Sequence, residues 1–111
     1  MRDDGERLRD IVEAIEQIEK YAADGQQRFM DDELVQIWTI HHLQVIGEAA
    51  NALSAEAREQ LPSLPWSDII GMRHILVHQY FRVAMAVVWE TVIRDLPALK
   101  AAISAQLDAT D

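Results

Sequence analysis

The sequence predicts an all-α protein: a compact bundle of four main helices plus a short extra helix, in one domain over residues 1–111. Three observations predict the helical class. Apolar residues recur at steps of three and four along most of the chain, the period of an amphipathic helix. Only four Gly and three Pro interrupt it. Half of the 111 residues are hydrophobic, enough for one core and too few for two. No strand pattern competes, because "VAMAVVW" (83–89) is β-friendly in isolation but continues with helical spacing. There is no internal repeat, low-complexity tract or interdomain linker.

The first helix is expected over 6–22, with Leu8, Ile11, Val12, Ile15, Ile18 and Tyr21 on one stripe. "ADGQQ" (23–27) holds the stop, with Gly25 placed to end the helix. Asp31 or Asp32 caps the second helix, which runs to about Leu53. Leu34, Ile37, Trp38, Ile40, His41, Val45 and Ala49 form its expected buried face. Ser54, Glu56 and Ala57 mark a short extra helix that ends before Pro62. Pro65 or Ser67 starts a third long helix, carrying Ile69, Ile70, Met72, Ile75, Leu76 and Val77. A break is expected at Phe81–Arg82. A fourth helix then covers 83–107, with Pro97 inside it, where Asp95 recaps a second segment or the helix kinks.

Composition narrows the function classes. With no Cys, disulfides, thiolate metal sites and Cys nucleophiles are impossible. The N-terminus "MRDDGERLRD" is charged, with no apolar signal-peptide core behind it. No apolar run approaches the roughly 20 residues of a membrane span. These features predict a soluble cytoplasmic protein without a membrane partner. The net charge of −9 disfavours a general nucleic-acid coat, which rests on many Lys and Arg contacts to phosphate, and DNA is not an expected partner. The charge is uneven, however. Residues 66–94 carry Arg73, Arg82 and Arg94 against Asp68 and Glu90, and this is the one segment that is not acidic. A local anion site on an acidic protein is therefore allowed.

That segment contains "GMRHILVHQYF" (71–81). His74 and His78 are four apart and share a helix face. The spacing resembles the His pair of zinc proteases, but Ile75 stands where the Glu should follow, so no metal site and no cofactor is assigned. His41 and His42 point about 100° apart on a helix and make poor joint ligands; one packed and one solvated is the simpler reading. Glu48, in "VIGEAAN", is either a solvated carboxylate or one held at a tight helix contact, orienting a His or Arg. Arg73 and Tyr80 are seven apart and return to within about 20° of each other, whereas Arg73 and His78 splay by about 140°. One helix makes an awkward active site, but two copies across a two-fold axis can build one cleft. Imidazole exchanges protons near neutral pH, and guanidinium grips a phosphate in forked hydrogen bonds. A helix end with satisfied polar groups remains the plainer reading of the same residues.

Arg73, four residues, His78, one residue, Tyr80 resembles the R-x4-H-x-Y motif of HepT-like proteins in the HEPN superfamily. "RLRDIVEAIEQIEKY", "QVIGEAANAL", "LPWSDIIGMRHILVHQYF" and "VVWETVIRDLPALK" resemble the family's blocks in the same order across nearly the whole chain. The resemblance implies a toxin of a type VII-like toxin–antitoxin pair. It implies a homodimer whose paired motifs line a cleft, and a metal-independent endoribonuclease with RNA as substrate. It also implies a minimal nucleotidyltransferase antitoxin that transfers AMP from ATP to the motif tyrosine. Carried over, Arg73 and His78 are catalytic and Tyr80 is the modified residue, with Glu48 and His74 as supporting candidates. This chain departs from the family in two places. His74 stands where Asn or Asp is common, and Gln79 stands where Gly is common. The alternative reading is a non-catalytic helical module that binds a nucleotide or docks a nucleotidyltransferase.

Overall fold

A computed structural model describes residues 3–78 and 84–110, with Val77 and Thr110 described in backbone only. The described residues are helical and contain no strand. In chain order they form α1 (Asp4–Ala22), α2 (Gln26–Asp31), α3 (Glu33–Ala52), α4 (Ala55–Glu59), α5 (Trp66–His78), α6 (Met85–Glu90), a π-helical turn (Thr91–Asp95) and α7 (Leu96–Thr110).

Local chemistry sets the boundaries. The Asp3 carboxylate caps α1 by accepting from the Glu6 N–H at 2.8 Å. Gly25 joins α1 to α2 at φ +98°, a conformation open to glycine and strained for other residues. Asp32 caps α3, accepting from the N–H groups of Leu34 and Val35 at 3.0 and 3.4 Å. A hydrogen bond from Arg28, at 2.9 Å, holds the Asp32 carboxyl below the usual carboxylate range. Ser54 caps α4 and is itself gripped by Asp4. The Ser54 N–H and hydroxyl donate to the Asp4 carboxylate at 2.9 and 2.6 Å, and the hydroxyl accepts from Ala57 N–H at 3.0 Å. One exposed serine thus ties the start of α1 to the start of α4.

α3 is the central element, packed between α1 on one side and α5 on the other, with α7 against α1. Ile11, Ile15, Ile18, Leu43, Ile46 and Ile103 are essentially without solvent contact. The tryptophans pack within this chain, and two indole N–H groups satisfy themselves on backbone. Trp38 donates to the Gln17 carbonyl at 2.8 Å, joining α3 to α1. Trp66 donates to the carbonyls of Arg58 and Leu61, joining α5 to the end of α4.

Two local expectations, the buried face of α3 and the place of Tyr21, are corrected. The buried face of α3 is Val35, Thr39, Ile40, Leu43, Ile46, Gly47, Ala49 and Ala50. Leu34 is 77% exposed and Ile37 46% exposed, and His41 is exposed as well. α3 is apolar on nearly every side, so periodicity alone selects no single face. Tyr21 is exposed rather than part of the α1 stripe; its ring meets Trp38 edge-on at 5.5 Å. Residues 26–31, to which the sequence assigns no element, form α2, whose Phe29 is buried with its ring 5.3 Å from Trp89. Six residues are too few to carry a periodic signal. Pro97 neither forces a recap at Asp95 nor stops the helix. The proline ring would crowd the carbonyl four residues back in an α-turn. The wider π-turn, in which the Leu96 N–H reaches the Thr91 carbonyl five residues back, absorbs it. The break expected at Phe81–Arg82 lies outside the described residues.

Candidate functional site

The segment singled out in sequence is α5, and its position is set by a close crossing with α3. A Cβ built on Gly47 would sit 2.5 Å from Arg73 Cβ, 3.3 Å from Arg73 Cα and 3.2 Å from the Ile69 carbonyl oxygen. No side chain fits there, so glycine lets the two backbones touch. One turn earlier on α3, Gln44 donates from Nε2 to the Leu76 carbonyl, a long bond at 3.4 Å. As α3 runs from 44 to 47, its partners on α5 run from 76 back to 73 and 69, so the helices cross antiparallel. Arg73 therefore leaves α5 at the crossing, half-buried, with no hydrogen-bond or ion-pair partner among the described residues.

His74 and His78 leave α5 on another face. At about 100° per residue, His74 lies about 100° and His78 about 140° around the helix from Arg73, on its solvent side. Both are exposed. Their ring centroids are 4.5 Å apart, with the planes tilted by 48°. Within one chain the structure pairs His78 with His74, while Arg73 points toward α3. Tyr80 and Gln79 lie outside the described residues.

Glu48 follows the crossing glycine but turns outward, exposed, with no hydrogen bond or ion pair among the described residues. In the single chain the tight helix contact suggested by its small neighbours belongs to Gly47. The His41–His42 pair divides into one packed and one solvated ring, with His42 rather than His41 on the inner side. His42 is half-buried, stacks on Trp38 at 4.4 Å, and its Nδ1 lies 2.9 Å from the Trp38 carbonyl. A carbonyl only accepts, so that contact needs the proton on Nδ1. His41 is exposed.

A cleft of about 540 Å³ opens between α5 and the π-turn with α7, lined by Ile69, Met72, Leu96 and Leu99 with Asp68 and Arg94. It lies on the Met72 side of α5, away from the two imidazoles, and Arg94 pairs with Glu90 at 2.9 Å. Among the described residues no group of three or more His, Asp or Glu is placed to hold a metal ion, and no helix is long and apolar enough to cross a membrane. Sequence reading missed the roles of Gly47 and Gln44. The only signal for Gly47 was a glycine inside an otherwise continuous helix, which usually has a packing or functional reason.

The profile of the family described as "Ribonuclease HepT-like" matches residues 11–105 of this chain. A Thermococcus cleftensis protein named "Probable ribonuclease HepT" is 38% identical over 94 residues, covering 84% of this chain and 86% of its own length. A Methanocaldococcus jannaschii protein named "Putative RNase MJ1380" is 31% identical over 94 residues, with the same shares covered. A longer protein of the same archaeon, named "Gamma-glutamylcyclotransferase and putative RNase MJ0434", is 36% identical over 105 residues. The match takes in 94% of this chain but only 47% of that relative. No solved structure matches the chain significantly.

Proposed function

Because the chain belongs to the ribonuclease HepT-like family, we propose that it is a metal-independent RNA endonuclease. It acts as the toxin of a toxin–antitoxin pair and is silenced by AMP attached to Tyr80. Arg73 holds the scissile phosphate. His78 assists attack of the 2′-hydroxyl on that phosphate or protonates the departing 5′-oxygen. The observation that carries the reading is the family match over residues 11–105, which spans the complete Arg73, His78 and Tyr80 set. The exposure of His78 supports it, since a proton-transfer group must reach substrate.

The 140° splay of Arg73 and His78 favours a cleft assembled from two chains. The exposed Leu34 and Ile37 support this. They share a face of α3 with His41 and Glu48, and they give a second copy apolar surface to cover. Glu48 is then available to orient a basic group of either chain. Tyr80, two residues past His78, would carry a bulky phosphodiester into the same cleft when modified by a minimal nucleotidyltransferase. Charge and volume would both block RNA.

The net charge of −9 favours a second reading, a non-catalytic module that docks a nucleotidyltransferase or binds a nucleotide. One experiment separates the two. Wild type and His78→Ala, each confirmed unmodified by intact mass, are incubated with RNA in excess EDTA. Cleavage by wild type alone, leaving 2′,3′-cyclic phosphate ends, is the expected result. Folded protein that leaves RNA intact in both cases would transfer the assignment to the docking module.

A further inference from the structure

We infer that His74 is a second catalytic imidazole, and that His74 and His78 of one chain divide between them the two proton transfers of RNA cleavage. This rests on the ribonuclease reading and goes beyond it, because that reading uses one histidine per chain.

Cleavage by 2′-hydroxyl attack moves two protons. As the O2′–P bond forms, the 2′-oxygen gives up its proton to a base. As the P–O5′ bond breaks, the 5′-oxygen takes a proton from an acid. The products are a 2′,3′-cyclic phosphate and a 5′-hydroxyl. No water, metal or redox partner enters the balance. A neutral imidazole serves the first transfer and an imidazolium the second. Two imidazoles side by side can divide these two roles between them.

The geometry provides that pair within one helix. The rings lie 4.5 Å apart, centroid to centroid, on the exposed face of α5. Neither ring has a hydrogen-bond or ion-pair partner among the described residues that would occupy it structurally. At this separation both rings reach oxygens of a single phosphodiester. Arg73 precedes His74 directly in the chain. Two histidines at this spacing also make half of a metal site, but no third ligand joins them among the described residues.

The test varies the leaving group. A 4-nitrophenolate departs without needing a proton, whereas a ribose 5′-oxygen needs one. Wild type, His74→Asn, His74→Ala and His78→Ala are compared on mixed-sequence RNA and on a mixture of the four nucleoside 3′-(4-nitrophenyl phosphates). All four proteins should melt at the same temperature, since both side chains are exposed. Each substitution should lower RNA cleavage about 100-fold or more. One of the two positions should regain near wild-type rate on the aryl esters, identifying the acid. The other should stay slow on both, identifying the base. His74 variants that cleave RNA at the wild-type rate overturn the inference and leave the ribonuclease reading standing. So do variants at both positions that lose the two substrates equally. Wild-type protein that cleaves neither probe overturns the ribonuclease reading and this inference together.

Discussion

The two seams that flank α3 are built on opposite terms. Toward α1 the contact is apolar, with Ile11, Ile15 and Ile18 meeting Leu43 and Ile46 at 0–1% exposure, and it is locked by the Trp38 indole on the Gln17 carbonyl. Toward α5 the buried Ile69 and Leu76 are joined by a direct approach of the two backbones. Gly47 lies against Arg73 and Ile69, with one long hydrogen bond from Gln44 beside it. The side chains that emerge next to the second seam, Arg73, His74, His78 and Glu48, have no hydrogen-bond or ion-pair partners among the described residues. The first seam supplies stability through buried apolar area. The second adds to its buried Ile69 and Leu76 a close backbone contact that fixes the direction of one helix, and it leaves its polar groups available. The difference teaches where chemistry can be added to a small bundle: on a seam held by the close approach of a glycine, where side chains are not consumed by packing.

Substitutions graded by their effect on stability sharpen this contrast. The largest loss is expected on the α1 side. Leu43→Ala removes a fully buried side chain and should cost about 3 kcal/mol in urea unfolding. Gly47→Ala comes next, at about 2 kcal/mol, because the added methyl overlaps Arg73 Cβ and the backbone at Ile69 and the helices must separate. RNA cleavage should fall with it as Arg73 shifts. Gly71→Ala is the control on α5. Nothing lies within 4 Å of its added Cβ, so it should be neutral or stabilising by up to about 1 kcal/mol. Equal effects at Gly47 and Gly71 would break the account of the crossing.

Ser54→Ala removes the cap of α4 and the tie to α1, with an expected cost of about 1 kcal/mol. It also predicts a pH effect. The hydrogen bonds from Ser54 hold the Asp4 carboxyl below its ordinary value. A depressed carboxylate stabilises the fold above the unfolded-state value, and that contribution disappears as pH falls through the native one. The stability gap between wild type and Ser54→Ala should therefore narrow below about pH 4, when thermal melts are compared between pH 7 and pH 3. The smallest stability effect belongs to His78→Ala and His74→Ala, expected within about 0.5 kcal/mol of wild type. Unchanged melting with lost cleavage separates chemistry from fold. A large drop in melting temperature at either histidine would place these side chains in the packing instead.

Much of this was legible in the chain itself. The stripe Leu8, Ile11, Ile15, Ile18 marked the buried face of α1, and Asp32 and Ser54 announced two helix starts, because caps and period are local properties. The short-range order of R-x4-H-x-Y marked α5 as the segment of interest, and the angular splay of Arg73 and His78 followed from helix geometry alone. Sequence failed where a choice depended on neighbours. It put Leu34 and Ile37 inside, since an apolar helix with two packing partners does not say which of its sides they cover. It assigned no element to 26–31, where Phe29 packs its ring against Trp89.

By itself, then, the sequence determined an all-helical chain of this family and its main helix boundaries, and it singled out the segment from which candidate site residues are drawn. The reason is that backbone propensity, capping and spacing act over a few residues. Only the tertiary structure decided that Gly47 is the point where α3 and α5 touch, that Arg73 leaves at that point, and that the face shared by His74 and His78 is exposed. Those facts depend on how closely two backbones separated by some thirty residues can approach, and steric contact at that range is set by the packed fold rather than by local pattern.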